Sequence, residues 1–196
     1  MTYDPTASPV RLRHHQIEDC AVIDANPITP ENDRFSFYGF HAPGRLRRAI
    51  ESGEAYAKPG ELNGRLAIEA DGEFVGEVSW HPVPYGMIGS PALNFGIWLI
   101  PPARGKGYGT EAQRQLVTYL FNNTTVNRIE ASTDVENIAE QRSLEKAGLL
   151  SEGIIRGSHF REGVYHDMAA YAILRAEFEQ ARAAGGKRKV STGFTA

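Results

Sequence analysis

The sequence holds one cysteine, Cys20, in 196 residues. A single thiol closes no disulfide within the chain and builds no multi-cysteine zinc site, so neither device is expected, and a reducing, cytoplasmic home is. No apolar run reaches the roughly 18 residues a membrane-crossing helix needs. The stretch from Met1 to Pro9 lacks the basic start and apolar core of a secretory signal, so export by that route is not expected. Charge of one sign is also missing. Lys+Arg 21 against Asp+Glu 24 leaves a formal net charge of -3, a field that repels nucleic acid unless a local basic patch reverses it. His14, His15, His41 and His159 are scattered without metal-ligand spacing, and no metal is expected.

What is present is an ordinary globular balance, 41% hydrophobic and 23% charged, in a length that favours one domain. No repeat or linker divides it. The domain is placed at 1–180, and 181–196, with its glycines and Lys187, Arg188 and Lys189, is read as a flexible basic tail. Val10 to His14 and Ile17 to Ala25 read as a strand and a helix, and Arg45 to Ser52 as a second short helix. Arms rich in β-formers flank Asp71-Gly72 between Arg65 and Trp80, which predicts an antiparallel hairpin, because both central positions need positive φ. Leu93 to Ile100 reads as a strand stopped by Pro101-Pro102. Ala112, Leu116 and Leu120 give Thr110 to Phe121 a helical period. A strand over Val126 to Thr133, a helix over Asn137 to Ala147 and two strands, Leu150 to Ser158 and Val164 to Leu174, follow. Strands alternating with helices and flanked by hairpins predict an α/β fold, a mixed sheet with helices on both faces.

Between the strand and the helix stands Arg104-Gly105-Lys106-Gly107-Tyr108-Gly109-Thr110. Amides at a helix start lack intrahelical partners, and the peptide dipoles leave partial positive charge there. Glycine at 105, 107 and 109 removes the Cβ atoms that would hold an anion away, and Arg104 and Lys106 add full charges. The pattern predicts a pyrophosphate cradle. It is not G-x-x-x-x-G-K-[ST], since Gly107 follows Lys106, and its G-x-G-x-G spacing departs from the dinucleotide fingerprint G-x-G-x-x-G. A tight turn with no ligand is the competing reading.

Arg104-x-x-Gly107-x-Gly109 resembles the [QR]-x-x-G-x-[GA] signature of the GNAT N-acetyltransferases. The flanking run Phe95 to Ala112 is similar to the branch that acetylates ribosomal-protein N-termini and small amines. Asn137 to Gly148 resembles that branch's N-x-x-S-x-x-x-x-E-K-x-G-F segment. Glu152-Gly153, Arg156 and Asp167 agree with it. The resemblance runs from about Phe74 to Leu174. It implies a mixed, mostly antiparallel sheet of about seven strands, splayed between the fourth and fifth, with acetyl-coenzyme A as acyl donor. It further implies that backbone groups near Trp98, Leu99 and Ile100 meet the pantetheine arm, with Asn137 and Arg142 on the facing helix and the 104–110 turn on the pyrophosphate. Asn137-x-x-Glu140 is equally a capping-box spacing for the helix it opens.

Two positions depart from the branch. Asn94 stands where a glutamate often lies two residues before the strand glycine, and Glu140 replaces the helix serine that often serves the thiolate. His81 is then the first candidate base, since an imidazole titrates near pH 6.5, with Glu77 on the same strand face and Asn94 as further candidates. Phe35, Phe37 and Tyr38, in an aromatic loop, together with Trp80 and Tyr165, are candidates to recognise the acceptor. The expected activity is transfer of an acetyl group to a primary amine of a small metabolite, antibiotic or peptide N-terminus. The alternatives are another donor such as aminoacyl-tRNA, with a basic surface near Arg45, Arg47 and Arg48, or a non-catalytic acyl-CoA sensor. A homodimer is left open.

Overall fold

In the computed structural model, which describes residues 8–35, 42, 44–55, 57–85 and 91–187, the arms around Asp71-Gly72 close as a hairpin. Its strands are β2 (Gly64–Ala70) and β3 (Glu73–Val83), and Asp71 and Gly72 take φ of 53° and 86°. Both central residues thus sit in the positive-φ region that the mirror-image two-residue turn requires. β1 (Val10–Arg13) pairs with β2, and β4 (Ala92–Leu99) with β3, all antiparallel. β5 (Arg128–Asp134), β6 (Leu150–Arg161) and β7 (Val164–Leu174) complete a seven-stranded sheet in the order β1-β2-β3-β4-β5-β7-β6.

The mixed, mostly antiparallel sheet has a single parallel join, β4 to β5, and it carries two rungs, Leu93↔Ile129 and Asn94↔Glu130. From Phe95 and Ala131 onward the two strands share no rung, so the sheet splays between its fourth and fifth strands. Elsewhere the ladders continue to the strand ends: β3 and β4 stay paired from Val83↔Ala92 to Gly76↔Leu99. Gly76 allows this close approach, since a Cβ there would lie 2.1 Å from the Trp98 carbonyl oxygen. Gly76→Ala must therefore push β3 off β4, and a loss of about 2 kcal/mol in urea unfolding is expected, the usual scale of overpacking.

α3 (Tyr108–Asn123) covers one face of the sheet. Its inward stripe, Ala112, Leu116 and Leu120, is fully buried, each leucine contributing about 2 kcal/mol over an exposed position. Trp80 joins this layer with its ring 5.7 Å from that of Tyr119. α4 (Ile138–Ala147) runs beside α3 and is capped at both ends. The Asn137 side chain accepts from the Glu140 amide, and Gly148, at φ 104°, closes the C-terminus. α1 (Asp19–Ala25) and α2 (Arg45–Glu51) share a small cluster of their own around Cys20, Leu46 and Ala55. Against the sheet face opposite α3 lies His15, its ring between Asp19 at 3.6 Å and Glu77 at 3.5 Å. Burial holds that imidazole down at about 4, so it is neutral in the fold.

α5 (Arg175–Lys187) continues through 181–187, and 188–196 lies outside the described residues. The helix is held because Phe178 stacks 4.9 Å from Phe121 while Arg175 donates to the carbonyls of Phe121, Thr124 and Val126. Those are carbonyls at and beyond the end of α3, which a helix terminus leaves without partners.

Candidate active site

The parting of β4 and β5 opens a cleft of about 600 Å³ with the glycine turn at one end, α4 along one side and residues 31–35 along another. Gly105 and Gly107 have φ of 73° and 83°, and a Cβ on either would meet nothing within 4 Å. Gly107 is the residue from which α3 starts, and no side chain caps that start. A sixteen-residue helix thus presents its first amides, uncapped, to open space in the cleft. Gly105, Gly107, Gly109 and Thr110 line this end, with the exposed cations Arg142 and Lys146 facing them from α4. The arrangement suits a diphosphate. Gly109 has an ordinary φ and serves packing instead, where a Cβ would come 3.4 Å from Leu99.

Two side chains of the turn, those of Arg104 and Tyr108, are engaged within the protein. The Arg104 guanidinium points back into the protein, donating to the Leu99 carbonyl at 2.8 and 2.9 Å, to the Asn32 carbonyl, and to the Asp33 carboxylate. Trp98 donates its indole N–H to the same Asp33 oxygen at 3.1 Å. Asp33, only 6% exposed, therefore straps the 31–35 segment onto β4 through Arg104 and Trp98. The Tyr108 hydroxyl donates to Asp71 in the hairpin at 2.7 Å, and Lys106 is exposed to solvent; neither lines the cleft.

The strand groups that face the cleft are offset by one residue from those expected. Ile100 donates to Val75 at 3.0 Å, so it and, by alternation, Trp98 spend their backbone groups on β3. Leu99 and Ile97 are left to turn theirs toward the splay, with the Leu99 carbonyl already engaged by Arg104. Ile97, Trp98 and Leu99 line the cleft, and Ile100 does not. Asn137 also lines it, yet its carbonyl caps α4 and its amide donates to Thr133 at 3.0 Å, so the capping reading holds.

The candidate bases lie elsewhere. Glu77, His81 and Asn94 share the sheet face opposite α3, Glu77 opposite Trp98 and His81 opposite Asn94, and none of the three lines the cleft. Glu77 is engaged by His15 and Arg65. Trp80 is not an acceptor contact: it is 1% exposed, on the α3 side, with its N–H on the Glu61 carbonyl at 3.2 Å. Tyr165 is 72% exposed against Phe160 at 5.1 Å and away from the cleft. Phe35 does line it, held between the guanidinium groups of Arg34 and Arg161 at 5.1 and 5.5 Å. Phe37 and Tyr38 lie outside the described residues.

Sequence reasoning missed a polar chain between α3 and α4. Thr110 and Ser143 hydroxyls meet at 2.9 Å, Ser143 donates to the Gln113 carbonyl at 3.0 Å, and the Gln113 amide donates to Glu140 at 2.6 Å. Gln113 is fully buried, and Glu140 lines the cleft. Burial, opposed by the Gln113 hydrogen bond, lifts the Glu140 carboxyl to about 7. A glutamine inside the apolar stripe of α3 was the one available signal. Across the cleft Arg161 and Asp134, each side chain 2% exposed, pair at 2.7 Å, and Arg161 also donates to the Arg34 carbonyl. The 31–35 segment is thereby tied to both lips of the splay.

Comparison with known proteins agrees with this geometry. The family model for the acetyltransferase (GNAT) domain matches residues 10–150. The probable N-acetyltransferase YjcK of Bacillus subtilis is 34% identical over 137 residues, 70% of this chain and 75% of that protein. The putative ribosomal N-acetyltransferase YdaF of the same organism is 33% identical over 120 residues, 61% of this chain and 64% of its own length. In fold, the spermidine N-acetyltransferase from Vibrio cholerae, solved with CoA and spermine, matches 87% of this chain and 98% of its own with a TM-score of 0.69 at 20% identity. Turn, splay and sequence together place the chain in the GNAT acetyltransferase family.

Proposed function

We propose that the protein transfers an acyl group, acetyl in the simplest case, from acyl-coenzyme A to a primary amine of a small molecule or a peptide N-terminus. The observation that carries this reading is the cleft itself: an uncapped helix start with two open glycines at one end, continuous with the gap between β4 and β5. The residues fit coenzyme A. Amides at 107–110 with Arg142 and Lys146 suit the diphosphate, and the edge of β4 at Ile97 and the Leu99 amide, beside the Leu99 carbonyl that Arg104 holds, suits an amide-bearing arm. The bound thioester supplies an activated acyl carbon. The chain positions it, shields it behind the strapped 31–35 segment, and offers N–H donors where negative charge develops.

The names of relatives support an amine acceptor without selecting one, since they include a putative ribosomal acetyltransferase and a spermidine acetyltransferase. Phe35, between two guanidinium groups on the wall of the cleft, is the aromatic residue we place nearest the acceptor. The free, buried thiol of Cys20 suits a reducing compartment, and we place the reaction in the cytoplasm. Calorimetric titration with coenzyme A and thiol release against a panel of amines test the reading together. Micromolar binding plus turnover of at least one amine is expected. A folded protein that takes up no coenzyme A ends the proposal.

A further inference from the structure

The sheet ends on β6, whose outer edge meets no strand among the described residues. Residues 150–158 of that strand are all exposed. An edge strand open on both faces is ordinarily blunted by lysine, proline or a covering element, because its free N–H and C=O groups pair with any strand that arrives. β6 contains neither lysine nor proline. Its charges are mostly spent within the chain. Glu152 pairs with Arg128 and Arg161 with Asp134, which leaves Arg156 as the one charged side chain of β6 with no ion pair among the described residues. The apolar load is concentrated here as well. Leu150, Ile154, Ile155 and Phe160 of β6 and Val164 and Tyr165 of β7 are each 50–72% exposed, six of the ten exposed large apolar side chains among the described residues.

We propose that the β6–β7 hairpin is the interface of a homodimer, covered by the same hairpin of a second copy of this chain. The patch wraps round the edge. Ile154, Phe160 and Tyr165 share the face on which Tyr171 reaches α4, while Leu150, Ile155 and Val164 take the other, so the occupant must meet two faces and an edge rather than fill a groove. A second hairpin does this, and a strand edge carries its own complement of donors and acceptors, which suits a two-fold contact of like with like. Area and composition agree. Six such side chains expose about 600 Å² per copy, at the top of the range for a patch on a monomer and close to the roughly 800 Å² each partner buries in a standard interface. Aromatic rings with little free charge are the composition of a homodimer core, whereas a charged partner would find only Arg156 to read. Irregularities at Ser151/Gly153 and Ile155/His159 leave a short regular run between them, so the apolar side chains, not a long ladder, carry the association.

Sedimentation equilibrium of the full chain over a dilution series tests this without any ligand. The wild type is expected at twice the chain mass, dissociating with a Kd of about 1 μM or below. Ile154→Lys on β6 and Tyr165→Glu on β7 each put a charge into the contact, and each should weaken the dimer at least about 10-fold. Both positions are exposed in the single chain, so the substitutions leave its own packing alone, and unchanged near-ultraviolet circular dichroism checks that. Ile17→Lys, which places the same charge on an exposed isoleucine in the turn before α1, should leave the dimer as tight as in the wild type. A wild type that sediments as a monomer throughout the series overturns the proposal, whatever else the hairpin binds. A dimer that survives both hairpin substitutions is built elsewhere and overturns it too. Acyl transfer enters none of these measurements, so their outcome and that of the coenzyme A titration stand apart.

Discussion

Ligand-free protein carrying Glu140→Gln is expected to be more stable than wild type at pH 8 by about 3 kcal/mol, while the two are equal near pH 4. The sign follows from the raised carboxyl. Glu140 titrates at 4.5 when unfolded and about 7 when folded, so its contribution is complete below 4.5 and is lost as pH rises through 7. The gap at about 1.36 kcal/mol per pH unit gives the figure. His15 runs the other way. Its imidazole falls from 6.5 to about 4 on folding, so its contribution is present above 6.5 and lost as pH drops toward 4. Between about pH 4.5 and 6.5 the two slopes oppose, and these two contributions should largely cancel in the wild type. The variant removes one slope and exposes the other, so its urea midpoint should climb steadily across that window. Equal midpoints for the two proteins at pH 8 would show that Glu140 is ionised in the fold at no cost. A carboxyl that destabilises the resting protein is consistent with a site selected for chemistry.

The hairpin at Asp71-Gly72 and the helix after the glycine turn were legible because each rests on local chemistry: positive φ at two adjacent residues, and an apolar residue every four. The splay was legible only through resemblance, since no local pattern reports where two parallel strands stop pairing. Arg104 shows what charge alone conceals. Its residue type suits a phosphate, yet the guanidinium folds back onto Leu99, five residues earlier, and onto Asp33, which lies 71 residues away in a loop without a motif. The one-residue offset on β4 has a similar origin. Alternation tells which face a side chain takes, but which strand edge an amide faces depends on how β4 pairs with β3. Glu140 stood out in the sequence as a departure, and its meaning came from Gln113, a polar residue that tertiary contact alone buries.

Arg161→Met should be the most damaging single change outside the apolar core, at about 3–5 kcal/mol in urea unfolding. The Arg161–Asp134 pair has both side chains 2% exposed, so deleting the cation leaves Asp134 as an uncompensated charge in low dielectric. His166, 3.6 Å from the same Asp134 oxygen, is too far for a hydrogen bond to replace the lost one. Relief of the stranded charge should recover much of the loss. Asp134→Asn keeps the oxygen that accepts from the Glu136 amide at 2.8 Å and removes the charge, so the double variant should regain at least half of the stability. The two proteins should nevertheless bind coenzyme A alike and several-fold more weakly than wild type. Both lack the guanidinium that holds the Arg34 carbonyl and underlies the Phe35 ring, and with it the tie between the 31–35 segment and the β5 lip of the cleft. If binding recovers in step with stability, the segment is held by Asp33 and Arg104 alone, and Arg161 serves the fold without serving the site.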